Sequence, residues 1–166
     1  KPRARSKPGI IQWSTSKSPR FRAIIQTGAS IANTKIIMGF YSGSARPARF
    51  IAGTNTKNRV EIYLDKVADS KFHVNAVASN SGSSSATTTV TPAASTVYDI
   101  ELRINAARKV QIWVNGNIVF QGTKALKAAK RLVPIIGLQF EAPVVDTSRV
   151  LTVYHTVLSQ DIVATA

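Results

Sequence analysis

The chain has 166 residues, 44% of them hydrophobic, with no cysteine and a formal net charge of +14. That length suits one domain with a genuine core, and the missing cysteine removes disulfides, thiolate metal sites and cysteine nucleophiles together. Residues 1–60 hold twelve Lys or Arg and no acid, whereas residues 61–166 hold ten basic and eight acidic residues, so +12 of the +14 lies in the first 60 positions.

Residues 1–19 read as an extended basic arm and linker. Pro2 and Pro8 oppose a helix, and the like charges of Lys1, Arg3, Arg5 and Lys7 oppose packing. The start at Lys1, in a stretch unlike a signal peptide, suits a processed product or a fragment. Within this stretch Ile10 to Trp13 reads as a first edge strand. Residues 20–166 read as a single β-sandwich domain. Arg20 to Gln26, Ile36 to Tyr41, Ala48 to Ala52, Arg59 to Leu64 and Lys71 to Ala78 are its first predicted strands. Gly53 to Asn58 is a turn region. Gly39 marks a place for close backbone approach. In Arg59 to Leu64 the residues Val60, Ile62 and Leu64 share one face, and in Lys71 to Ala78 so do Phe72, Val74 and Ala76.

Ser79 to Ser95 is rich in Ser, Thr and Ala and reads partly as a loop, with Thr87 to Thr91 able to pair as a strand. The clearest signal follows at Val97 to Thr123. Ile100, Leu102 and Ile104 alternate with Asp99, Glu101 and Arg103. Asn105 to Arg108 turns the chain, and Val110, Ile112 and Val114 resume the alternation. Asn115-Gly116 suits a type I′ turn, and Ile118 and Phe120 begin the return strand. Thr123 to Arg131 is the one plausible helical turn, ended by Pro134. Strands at Ile135 to Glu141 and Arg149 to Leu158 complete an all-β antiparallel sandwich.

The order of these segments resembles the concanavalin A-like lectin/glucanase jelly roll, also called laminin G-like, in the form found in bacteriophage virion proteins. The residues that carry the likeness are Arg20-Phe21-Arg22-Ala23-Ile24, Met38-Gly39-Phe40, Thr96 to Ile104, Val110 to Val119 with its Asn115-Gly116 hairpin, Leu132 to Gly137, and Arg149 to Val157. The likeness covers about residues 20–158. It implies a jelly roll and a family that includes lectins, glycoside hydrolases and virion decoration domains, among which fold alone does not choose.

Hydrolases of that family carry a Glu-x-Asp-x-x-Glu strand, which this chain lacks. Asp99 and Glu101 share a strand face with Arg103 and read as a solvated, charge-paired surface. Glu61 and Asp65 straddle a strand end and are not assigned a catalytic role. Asp65 and Asp69 lie near one turn and Asp146 stands alone, so no calcium loop is expected. His73 and His155 sit mid-strand and read as surface or structural histidines. No catalytic residue, metal or cofactor is assigned, and no membrane partner is expected, because no apolar run approaches the roughly 20 residues of a spanning helix.

Two binding surfaces are expected. One is the arm, with Lys1, Arg3, Arg5, Lys7, Lys17, Arg20 and Arg22 facing partner proteins or phosphates. The other is Trp113 with Asn115 and Asn117, a surface for a glycan or a partner subunit. Trp113 is out of phase with Ile112 and Val114, so it should face away from their core. Together these lead to the expectation of a non-enzymatic virion structural protein. It would decorate the capsid or belong to capsid or tail, docking on other virion proteins and associating with itself. The alternatives are a carbohydrate-binding, lectin-like module, or a capsid protein whose arm contacts packaged nucleic acid.

Overall fold

The computed structural model describes residues 13–42, 58–65, 70–78, 82–140 and 148–161. Through them run β1 (Trp13–Ser14), β2 (Arg20–Thr27), β3 (Thr34–Tyr41), β4 (Arg59–Asp65), β5 (Phe72–Ala78), β6 (Gly82–Thr87), β7 (Val97–Ile104), β8 (Val110–Val114), β9 (Asn117–Gln121), β10 (Arg131–Phe140) and β11 (Leu151–Ser159). They form a six-stranded sheet in the order β1-β10-β3-β4-β5-β6 and a five-stranded sheet in the order β11-β2-β7-β8-β9. Every pairing is antiparallel. The expected strands at Ala48 to Ala52 and at Ile10 to Gln12 lie outside the described residues, as do most of the 53–58 turn and Lys1, Arg3, Arg5, Lys7, Asp69 and Asp146.

The period-two pattern builds the core. Ile36, Met38 and Phe40 of β3, Val60, Ile62 and Leu64 of β4, and Phe72, Val74 and Ala76 of β5 form one wall. Phe21, Ala23 and Ile25 of β2, Ile100, Leu102 and Ile104 of β7, and Val110, Ile112 and Val114 of β8 form the other. Phe21 meets Phe40 at 5.7 Å between ring centroids, and Phe72 meets Tyr98 edge-on at 5.5 Å, so aromatic pairs tie the two sheets together. The Asn115-Gly116 turn has φ of 51° and 78°, as a type I′ turn requires.

Two local expectations are corrected. Thr123 to Arg131 holds no helix. Its backbone N–H groups are taken by distant partners instead: Leu126 donates to Arg108 O at 2.9 Å, Lys127 to Asn58 Oδ1 at 3.2 Å, Ala129 to Ser16 Oγ at 2.8 Å and Lys130 to Thr15 Oγ1 at 3.1 Å. Ala129 adopts φ of 51°, which no α-helix allows. Pro134 therefore ends nothing; it sits inside β10, opposite Phe40. Within the Ser/Thr-rich stretch the strand is Gly82–Thr87, not Thr87 to Thr91. Thr88 Oγ1 accepts the Val90 N–H at 3.2 Å, a local bond that competes with ladder pairing. In β9 a bulge places Ile118 opposite Trp113 while Phe120 stays opposite Ile112, so Ile118 is 44% exposed rather than inward like Phe120.

At Gly39 the backbone of β4 leaves no room for a side chain on β3. A Cβ there would lie 2.3 Å from Val60 O and 3.0 Å from the Glu61 Cα, and neither atom can swing away. Gly39→Ala is expected to lower stability by about 1–3 kcal/mol, read as a lower denaturant midpoint at unchanged slope. An unchanged midpoint would mean that β3 and β4 are not in this register.

Candidate functional site

The outer face of the six-stranded sheet carries the off-phase residues of the core strands, lined up in rows across it. One row runs Ile135, Gly39, Glu61, Asn75, Ser85; the next runs Gly137, Ile37, Tyr63, His73, Thr87. Tyr41 and Arg59 pair beside the first row, and Lys35 and Asp65 beside the second. Glu61 is 1% exposed and is the floor of the site. Its carboxylate accepts hydrogen bonds from the Tyr41 hydroxyl and, at 2.9 Å, from Asn75 Nδ2; Arg59 Nε lies 3.4 Å away. A buried carboxylate needs this degree of satisfaction. Asp65 is held by Lys35 at 3.1 Å.

Beside that floor, Tyr63, His73 and Asn75 are half-exposed, and Ser85 and Thr87 are exposed. The Tyr63 and His73 rings stack at 5.2 Å and 22°, and Thr87 Oγ1 lies 3.3 Å from His73 Nδ1. Burial, reinforced by the negative charge of Glu61, pushes the Tyr41 phenol far above its ordinary range. Burial also raises Tyr63, with a hydrogen bond to Asn75 working the other way. Both phenols thus stay protonated, and the Tyr41 hydroxyl donates to Glu61. The two rows together mix hydroxyls, an amide and an imidazole, which suits ligand hydroxyls that both donate and accept.

Glu61 and Asp65 are four residues apart on one strand, roughly 13 Å at about 3.3 Å per residue. Paired glycosidase carboxylates stand about 5–9.5 Å apart, so these two do not form such a pair. Among the described residues no three His, Asp or Glu side chains gather as a metal site.

Sequence reasoning passed over Tyr41, Arg59, Tyr63 and Asn75 as site residues. Their signal lay in the second phase of the alternation. Once Val60, Ile62 and Leu64 face inward, Arg59, Glu61 and Tyr63 must share the other side, and the same holds for His73 and Asn75.

The residues singled out beforehand lie elsewhere. Trp113 does face away from the core, on the outer face of the five-stranded sheet. The Arg103 guanidinium sits 4.4 Å from its ring centroid and takes one stacking face. Asn115 and Asn117 are exposed at the adjoining turn, where Asn115 Oδ1 accepts the Asp99 N–H at 2.9 Å. Lys17 stands in the turn after β1. Arg20 and Arg22 are not part of an arm but residues of β2, already engaged with Glu101 and Asp99. His155 is exposed on the edge strand β11.

The Asp99, Glu101, Arg103 row is charge-paired as expected. The Arg22 hydrogen bond holds the Asp99 carboxyl below its usual range, against a burial cost. Burial also opposes ionisation of Glu101, but hydrogen bonds from Arg103 and Arg20 outweigh it and hold that carboxyl low. Both folded-state values lie below the unfolded ones near about 4. Their stabilisation is therefore complete above that pH and is lost as pH falls through the folded values. Thermal unfolding midpoints are expected to fall below about pH 4, with a shallower fall in an Asp99→Asn variant. Identical acid profiles for the two proteins would contradict the pairing.

No family model and no curated protein sequence matches this chain. Solved structures do. An alginate lyase of Pseudomonas aeruginosa superposes with a TM-score of 0.59 at 13% identity, covering 89% of this chain and 66% of that one. The Emp47p carbohydrate recognition domain gives 0.64 at 10% identity over 91% and 75%. The Bacillus licheniformis β-glucanase gives 0.55 at 12% over 92% and 69%. The chain spans just under two thirds of the length of the alginate lyases of Pseudomonas aeruginosa and Zobellia galactanivorans. The expectation of a non-enzyme is overturned by these neighbours. Lyases and a glucanase share the fold, so a missing Glu-x-Asp-x-x-Glu strand does not exclude catalysis. With two antiparallel sheets packed face to face and these neighbours, the chain has the concanavalin A-like jelly-roll fold.

Proposed function

We propose that this chain is a carbohydrate-handling jelly roll that binds a polysaccharide across the outer face of its six-stranded sheet. The observation that carries this reading is the half-exposed patch of Tyr63, His73 and Asn75, which spans two adjoining rows, continues into Ser85 and Thr87, and adjoins the fixed carboxylate of Glu61. Rows across a sheet are about 4.8 Å from strand to strand, a step that lets successive groups meet successive parts of one sugar chain. The fold neighbours support the reading, because they include a carbohydrate recognition domain and enzymes named for alginate and glucan. None of the neighbours reported above is a virion protein, so the carbohydrate reading has support that the virion reading lacks.

A second reading, elimination on the bound polymer, is favoured by one contact. An imidazole, the commonest general base, stacks on a phenol that burial keeps protonated. His73 would take the proton and Tyr63 would return one to the leaving oxygen, while Asn75 orients the substrate by hydrogen bonding.

The test is affinity electrophoresis of the full chain through gels containing alginate, mixed-linkage β-glucan or mannan, with ultraviolet absorbance of unsaturated sugar products read in parallel. At least one polymer is expected to retard the protein. Tyr63→Ala and His73→Ala are each expected to weaken retardation roughly 3- to 10-fold, with Trp113→Ala unchanged. No retardation by any polymer, or loss only in Trp113→Ala, would overturn the site. Unsaturated products that vanish in His73→Ala would establish elimination.

A further inference from the structure

One end of the sandwich gathers cations that the sheet-face site does not use. The 122–130 connection is pinned to the β7–β8 turn, where Leu126 N–H donates to Arg108 O and Arg108 Nε donates to Leu126 O, both at 2.9 Å. It is pinned equally to the turn after β1. Thr15 Oγ1 donates to Lys127 O at 2.7 Å, Thr15 N–H to Lys130 O at 3.0 Å, and Ala129 N–H to Ser16 Oγ at 2.8 Å. These bonds bring together Lys17, Lys109, Lys124, Lys127, Lys130 and Arg131, which come from three separate stretches of sequence.

Among the described residues no carboxylate is ion-paired with these six cations. Among the described residues the other carboxylates are engaged on the sheet faces: Asp99 with Arg22, Glu101 with Arg20 and Arg103, Glu61 near Arg59 and Asp65 with Lys35. Asp161 alone approaches this end, through its backbone N–H on Lys17 O at 2.8 Å. No ion pair joins it to any of the six cations. Lys109, Lys124, Lys127 and Arg131 are exposed. The lysines of the connection recur every third residue, and the bonds that fix it come from backbone atoms, leaving the ammonium groups outside the network.

We infer that this end of the sandwich docks the phosphate backbone of a nucleic-acid duplex without reading its sequence. The surface offers spaced point charges among the exposed alanines Ala106, Ala107, Ala128 and Ala129. Among the described residues no fully exposed ring stands among these cations to stack a sugar or an unpaired base, and a polymer recognised by charge alone is what the surface suits. A duplex carries one charge per about 1.7 Å of axis and releases counterions on binding. The inference is independent of the carbohydrate reading, which uses a different surface.

Binding of the full chain to two unrelated 30-base-pair duplexes, read by fluorescence anisotropy between 50 and 200 mM salt, tests it. The logarithm of affinity is expected to fall with the logarithm of salt at a slope of about −5 if all six cations meet phosphate, equally for both duplexes. The combined variant Lys124→Gln, Lys127→Gln, Lys130→Gln is expected to lose about 3 from that slope, and Lys109→Gln alone about 1, with thermal unfolding unchanged. No duplex binding at 50 mM salt, or an undiminished slope in both variants, would overturn the inference. So would a triple variant that keeps its duplex affinity but loses binding to a sulfated polysaccharide, since the patch would then belong to an acidic glycan.

Discussion

The carboxylate of Glu61 is the constraint around which the six-stranded sheet is organised. It is 1% exposed on a face that a sandwich ordinarily turns to water. A carboxylate so placed holds only with a full set of partners, since an unpaired buried charge costs several kcal/mol. Those partners come from both neighbouring strands, Tyr41 from β3 and Asn75 from β5, with Arg59 preceding it on β4. The three strands must keep one register for all of this to hold. Gly39 makes it sterically possible, because any side chain at that position would collide with the β4 backbone beside Glu61. Fixing Glu61 in turn fixes Asn75, and the Tyr63–His73 stack stands in the adjoining row. The accessible polar row is thereby preorganised rather than left to side-chain rotation.

The two outer faces have opposite electrostatic characters. On the five-stranded sheet, Arg20, Arg22 and Arg103 interleave with Asp99 and Glu101, and Arg103 also covers Trp113. That surface satisfies itself. On the six-stranded sheet, among the described residues, the charges of Glu61, Arg59, Asp65 and Lys35 lie in the floor or at the margin, and the more accessible groups are hydroxyls, an amide and an imidazole. Hydroxyl-rich ligands are recognised by groups of that kind. The difference follows from which residues occupy the second phase of each strand, since the first phase in both sheets is apolar and serves the core.

Much of the fold was legible because it is written locally. Alternation in Val97 to Thr123 and the Asn115-Gly116 pair depend on neighbours a few residues away, and both appear in the structure as read. The 122–130 connection was misread because its conformation is set by Thr15, Ser16 and Asn58, which lie 69 to 115 residues away. Helix propensity of Ala, Leu and Lys loses to those bonds. The bulge that turns Ile118 outward leaves no mark in an apolar-polar pattern either. The Tyr63, His73 and Asn75 patch was half-legible: alternation assigned its face, but only cross-strand register brings β4, β5 and β6 together. Judging activity by a single missing carboxylate motif failed for a different reason. A fold that carries both lyases and glucanases does not commit its chemistry to one arrangement of side chains.

The central claim is that polysaccharide meets the outer face of the six-stranded sheet. Amide chemical-shift mapping of the isotope-labelled full chain, titrated with alginate and β-glucan oligosaccharides, tests it most directly. The expected result is a saturable set of shifts centred on Tyr63, His73, Asn75 and Thr87, with Trp113 and Asn115 unmoved. Shifts centred on Trp113 and Asn115, or none with either sugar at millimolar concentration, would contradict it.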